Sequence, residues 1–116
     1  MFYLFVEHKN HIKMSNYHEP VEELSPRDRD FSRALNSLKE EVEAVDWYHQ
    51  RIVTTSDHEL KDILIHNRDE EIEHACKTIE WLRKNMPKWD DELRKQLFTD
   101  NGKEDNTTDL GIGKIK

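Results

Sequence analysis

In HNRDEEIEHACKTIEWL, residues 66–82, a glutamate and a histidine stand three apart, Glu71 and His74. On a helix that spacing projects both side chains from adjacent points of one face, so a carboxylate oxygen and an imidazole nitrogen can reach one ion. At about 100° per residue, Leu60, Leu64, Ala75, Ile79 and Leu82 fall on a single stripe, and Glu71 lies near its middle. Asn67, His74 and Thr78 fall within or beside it, whereas Asp69, Glu70 and Glu73 point away. An ionised carboxylate on a buried face is unfavourable by several kcal/mol without a partner, so Glu71 needs a counter-charge.

A second carboxylate leans inward from the preceding segment. Apolar residues recur at Phe31, Leu35, Leu38, Val42, Val45 and Ile52, four and three apart, with His49 at the missing step and Glu41 to one side, between Leu38 and Val45. Glu41 with Glu71 and His74 is half of a carboxylate-bridged two-metal site. Two copies of the chain about a two-fold axis supply the whole: a Glu from each of two helices and a Glu-x-x-His from each of the other two, the inventory of four-helix di-iron proteins. Carboxylate oxygens with one imidazole per metal suit iron or manganese, with iron preferred. The structural alternative is that these side chains pair with Arg68, or with each other across an interface between copies. Periodicity leaves both readings open.

The elements that must position these residues are helices. Ser25-Pro26 provides a cap and a proline suited to the first helical position, which predicts a helix ending near Val53. Ser56 with Glu59 forms a capping-box pattern for a second helix, stopped by Pro87, and WDDELRKQLF predicts a shorter helix after it. A link of about three residues between helices roughly 40 Å long forces an antiparallel hairpin. Expected are an all-α chain with a loose segment over residues 1–24, a helical domain over residues 25–98, a flexible linker over residues 99–108 and a distinct tail over residues 109–116. Met14 is a candidate true start, residues 1–13 being then an upstream extension.

With 116 residues, 37% charged and only 34% in the apolar class, the chain is one small domain with a thin core, for which assembly is the expected remedy. A net charge of −7 argues against a nucleic-acid partner and favours cations. The single cysteine, Cys76, excludes an internal disulfide and a cysteine-based zinc site, and a reduced, cytoplasmic setting fits. The opening MFYLFV is apolar for only six residues, too few for a membrane span.

EEVEAVDWYHQR, residues 40–51, and HNRDEEIEHACKTIEWLR, residues 66–83, closely resemble the encapsulated ferritins, small ferritin-like proteins packaged inside encapsulin nanocompartments. The resemblance runs from about residue 29 to 98. It implies a two-helix protomer that forms a four-helix ferritin-like bundle on dimerisation, with dimers assembling into a ring-shaped homodecamer. It implies a ferroxidase that oxidises Fe²⁺ with O₂ or peroxide at an inter-subunit centre of two irons, with Glu41, Glu71 and His74 as ligands and Tyr48 beside them. Glu40 and Glu43 match the acidic residues at which that family takes up metal, so calcium or another divalent cation is expected there. Independently, both lie opposite the apolar stripe, about 60° apart, with Trp47 between them, which suggests a second subunit contact. The tail DLGIGKIK resembles the C-terminal peptides that dock cargo to the encapsulin wall, with Leu110, Ile112 and Ile115 as its apolar contacts. The competing functions are a non-catalytic helical adaptor and an iron carrier that binds without oxidising.

Overall fold

The computed structural model describes residues 17–100, so residues 1–16 and the expected targeting tail lie outside the described part. Among the described residues the chain is helical without strands: α1 is Pro26–Thr54, α2 is His58–Asn85 and α3 is Pro87–Gln96. Two compact units divide inside α2, after Ile79.

In the first unit, the Ser25 hydroxyl accepts from the Asp28 amide at 3.0 Å, and the Asp28 carboxylate accepts in return from the Ser25 amide at 3.2 Å. This reciprocal box satisfies two donors that the helix end would leave orphaned, and Pro26 sits where no amide is needed. Residues 17–24, expected to be loose, contain a 3₁₀ turn at Val21–Glu23, and the Arg29 guanidinium donates to the Val21 carbonyl at 2.7 Å.

Between α1 and α2 stand only Thr55, Ser56 and Asp57, the length expected. The cap differs from expectation: Asp57, and not Ser56, receives a helical amide, from Leu60 at 2.8 Å, while its own amide donates to Thr55 Oγ1 at 3.2 Å. A carboxylate there also complements the positive end of the helix dipole. The return is antiparallel. Glu41 meets Thr78 and His49 meets Arg68, so residue numbers fall along α2 as they rise along α1.

Two helices cover little of each other. Among the described residues of this unit Ile52 is the buried hydrophobic, whereas Val42 is 56% exposed, Ile63 53% and Trp47 51%. Leu35 and Leu60, expected on the inward stripes, are also largely exposed. An open groove lined by Val42, Val45, Ile72 and Ala75, with Cys76 at its edge, runs along one side of the hairpin.

In the second unit, Leu82 is fully buried. Pro87 starts α3 two residues earlier than the sequence pattern suggested, because its fixed φ suits a first helical position. The Arg83 guanidinium forks onto Glu80 at 2.8 and 3.0 Å and reaches Asp90 across the corner at 2.6 Å; Arg94 also donates to Asp90, at 2.9 Å. These guanidinium bonds hold the Asp90 carboxyl below its usual range. A depressed folded-state pKa contributes stability that is present above the ordinary aspartate range and is lost as the pH falls through the lowered value. Asp90→Asn is therefore expected to lower the thermal midpoint at pH 7 and to leave less stability to be lost on acidification below about pH 4, read by circular dichroism melts of both proteins.

Candidate metal centre

Glu41 is half-buried on α1 and faces α2. Its Oε2 accepts from the Thr78 hydroxyl at 3.4 Å, whereas its Oε1 is buried with no hydrogen-bond partner. A buried acceptor left unpaired is unfavourable by about 1–3 kcal/mol, and such an atom in a folded protein calls for an explanation. On α2, one turn before Thr78, His74 Nδ1 stands 3.6 Å from Glu71 Oε1. That separation is too long for a hydrogen bond. It lies within twice the roughly 2.0–2.2 Å that nitrogen and oxygen ligands keep from an ion such as Zn²⁺. The two donors thus face one space without satisfying each other, Glu71 being the more covered and His74 about half exposed.

Arg68, the counter-charge required by the purely structural reading, is engaged elsewhere. Its guanidinium lies 3.0 Å from the Asp69 carboxylate, and its other terminal nitrogen approaches His49 Nδ1 at 3.5 Å. Neither contact involves Glu41 or Glu71.

Tyr48 is half-buried, with the Arg51 guanidinium 5.2 Å from its ring centroid. Glu40 and Glu43 are exposed and have no salt bridge among the described residues, and Trp47 on the same side is half-exposed. Elsewhere along α2, Lys77 lies 3.0 Å from Glu73 and holds its carboxyl below the usual range.

Among the described residues of one chain, no three His, Cys, Asp or Glu side chains gather into a metal-binding group. Glu71 and His74 stand together, while Glu41 reaches the turn beside them through Thr78. One chain offers these candidate donors in two parts.

Thr78 was visible in the sequence only as a residue beside the stripe. Its contact with Glu41 spans 37 positions and carries no periodic signal.

The sequence profile of the EncFtn-like family matches residues 16–100. A "Ferritin-like protein" of Thermotoga maritima is 59% identical over 110 residues, covering 85% of this chain and 96% of the relative. An "Encapsulated ferritin-like protein" of Rhodospirillum rubrum is 54% identical over 83 residues, which are 72% of this chain and 59% of that longer relative. Among solved structures, the crystal structure of protein ne0167 from Nitrosomonas europaea superposes with a TM-score of 0.71 at 55% identity, over 72% of this chain and 93% of that one.

If Glu41 is held at an unfavourable position for the sake of a ligand, Glu41→Met will raise the stability of the metal-free protein by about 1 kcal/mol. Chemical unfolding in chelator measures this. An unchanged or lowered stability would mean that the carboxylate serves the fold.

Proposed function

The chain belongs to the EncFtn-like family of encapsulated ferritin-like proteins, and on that premise we propose that it is a ferroxidase, converting Fe²⁺ to Fe³⁺ at a two-iron site between two copies of the chain. The product is mineralised and stored inside an encapsulin nanocompartment. The observation that carries this reading is the Glu41 carboxylate, with a buried oxygen unpaired one helix away from a Glu71–His74 pair whose facing atoms do not bond each other.

Two copies contribute four carboxylates from Glu41 and Glu71, which balance the charge of two Fe²⁺ ions. This supplies the counter-charge the inward glutamates need, and pairing replaces a desolvation penalty with strong local attraction. Glu41 and Glu71 would supply charge and a bridge between the irons, since an ionised carboxylate offers two oxygens. His74 supplies the nitrogen donor that leaves other positions open to oxidant. Two irons release two electrons, the number that takes O₂ with two protons to H₂O₂, or H₂O₂ with two protons to two waters. Tyr48, half-buried with the Arg51 guanidinium over its ring, is the residue assigned to tune this step. The exposed carboxylates of Glu40 and Glu43, free of salt bridges among the described residues, serve as an uptake site for Fe²⁺ and also accept calcium or other divalent cations.

The same reading explains the exposed apolar surface. Val42 and Ile72 border the groove on one side of the hairpin, and Trp47 stands apart from that groove. Two different contact surfaces allow dimers to continue into a ring, here a decamer. Residues 109–116 dock the assembly to the encapsulin wall, the composition of residues 99–108 making the tail an independent peptide. Among the described residues no helix is long and apolar enough to cross a membrane.

Glu41→Ala, Glu71→Ala and His74→Ala are each expected to slow Fe²⁺ oxidation by at least roughly a hundredfold, because loss of even an outer partner of a metal ligand typically reduces activity 10–100-fold. Oxygen uptake and absorbance after Fe²⁺ addition provide the rates, with circular dichroism confirming intact helices. Wild-type rates in folded variants would reject the ligand assignment, and iron binding without oxygen uptake by the unaltered protein would make it a carrier.

Deleting residues 109–116 is expected to leave oxidation in solution unchanged and to abolish recovery inside shells on co-expression with encapsulin. Packaging of the truncated chain at normal occupancy would transfer the address to the helices and support an adaptor-like surface there.

A further inference from the structure

A carboxylate presents two equivalent oxygens, and rotation about its last bond exchanges them. Glu41 is not symmetric in this protein: Oε2 faces the Thr78 hydroxyl at 3.4 Å, and Oε1 is buried without a partner. The same hydroxyl stands 3.1 Å from the His74 carbonyl, one turn back on its own helix. One side chain therefore touches the backbone of one proposed iron ligand and the carboxylate of another.

We propose that Thr78 is a positioning residue of the iron site, whose hydroxyl holds Glu41 Oε2 so that Oε1 is the oxygen presented to the metal. The assignment rests on the ferroxidase reading. It adds a residue that neither composition nor the Glu-x-x-His spacing identifies.

The chemistry of the hydroxyl supports it. A threonine has one proton to give, and in this structure the His74 carbonyl is its nearer acceptor. Bonding to the carbonyl four residues back selects one of the two χ1 rotamers open to threonine in a helix. That rotamer is the one in which Oγ1 also faces Glu41. An ionised carboxylate is the stronger acceptor, and hydrogen bonds around a reacting site often tighten when the ligand arrives. The long contact to Glu41 is then the resting form of a bond that shortens once Oε1 is engaged by iron.

Two substitutions separate the hydroxyl from its methyl group. Thr78→Val keeps shape and branching but removes the donor, and Thr78→Ser keeps the donor but removes the methyl. The probe is Co²⁺, a divalent ion stable in air, titrated into the full-length protein by visible absorption, with Fe²⁺ oxidation measured in parallel. Thr78→Val is expected to weaken Co²⁺ binding roughly 10–100-fold, the usual effect of losing a partner behind a metal ligand, and to slow oxidation with unchanged helicity. Thr78→Ser is expected to stay within about threefold of the unaltered protein. If Thr78→Val loses helicity, Thr78→Ala is read in its place, since alanine favours the helix. A reversed order, with valine intact and serine impaired, makes Thr78 a packing residue and overturns the proposal. Full Co²⁺ affinity in both variants also overturns it, while loss of binding in Glu41→Ala would leave the ferroxidase reading standing. Absence of Co²⁺ binding by the unaltered protein and Glu41→Ala alike would remove both.

Discussion

Two α-helices laid side by side enclose almost no interior, and much else about this chain follows from that limit. Each helix turns only a narrow stripe toward its neighbour, so large apolar side chains such as Val42, Ile63 and Ile72 remain at the surface even though α1 and α2 are long and well capped. Burial of apolar area is the dominant favourable contribution to folding, at roughly 25 cal/mol per Å². A hairpin that leaves so much of it in water gains less from burial, so helix ends, short links and side-chain pairs along each helix carry more weight. The box at Ser25 and Asp28 and the cap by Asp57 at the start of α2 are of this kind.

The polar side of the hairpin obeys the same limit. Where a larger domain could enclose a carboxylate pair and all its partners, this hairpin covers one oxygen of Glu41 and supplies no donor for it. Some acids of the described chain have a neighbouring cation: Glu73 has Lys77, Glu80 has Arg83, and Glu92 has Lys88. What distinguishes Glu41 is burial: its unpartnered oxygen is covered, although lysine and arginine occur along both helices. Natural proteins hold such unfavourable groups mainly at functional sites, where the arrangement is supported by the surrounding fold.

Much of this was legible in the sequence. The Ser25-Pro26 start, the three-residue link, the stop at Pro87 and the placement of Glu71 with His74 on one face all follow from local rules of spacing and capping. The misreadings were also local. Ser56 with Glu59 matched the capping-box pattern, but the adjacent Asp57 satisfied the amide of Leu60, and patterns one residue apart differ too little in sequence for periodicity to choose between them. The onset of α3 was placed late because the apolar pattern begins at Trp89, whereas the backbone is already set by Pro87. What no local rule could show was the Thr78–Glu41 contact, which depends on the register of one helix against the other.

That register also ties iron to assembly on the ferroxidase reading. A copy alone holds its donors in two parts, without a three-ligand group among the described residues. Bringing two copies together without metal would crowd four carboxylates, and like charges at close range oppose association. Two divalent ions reverse the sign of that contribution, while the apolar surface around Val42 and Ile72 favours contact throughout. Anything that binds the assembled form and not the separate chain stabilises assembly by mass action, and the assembled form binds the ion more tightly in equal measure. On that reading the thin core and the incomplete site are two aspects of one design: the surface that lacks an interior would also carry the half-site, and a second copy would answer both deficits at the same contact.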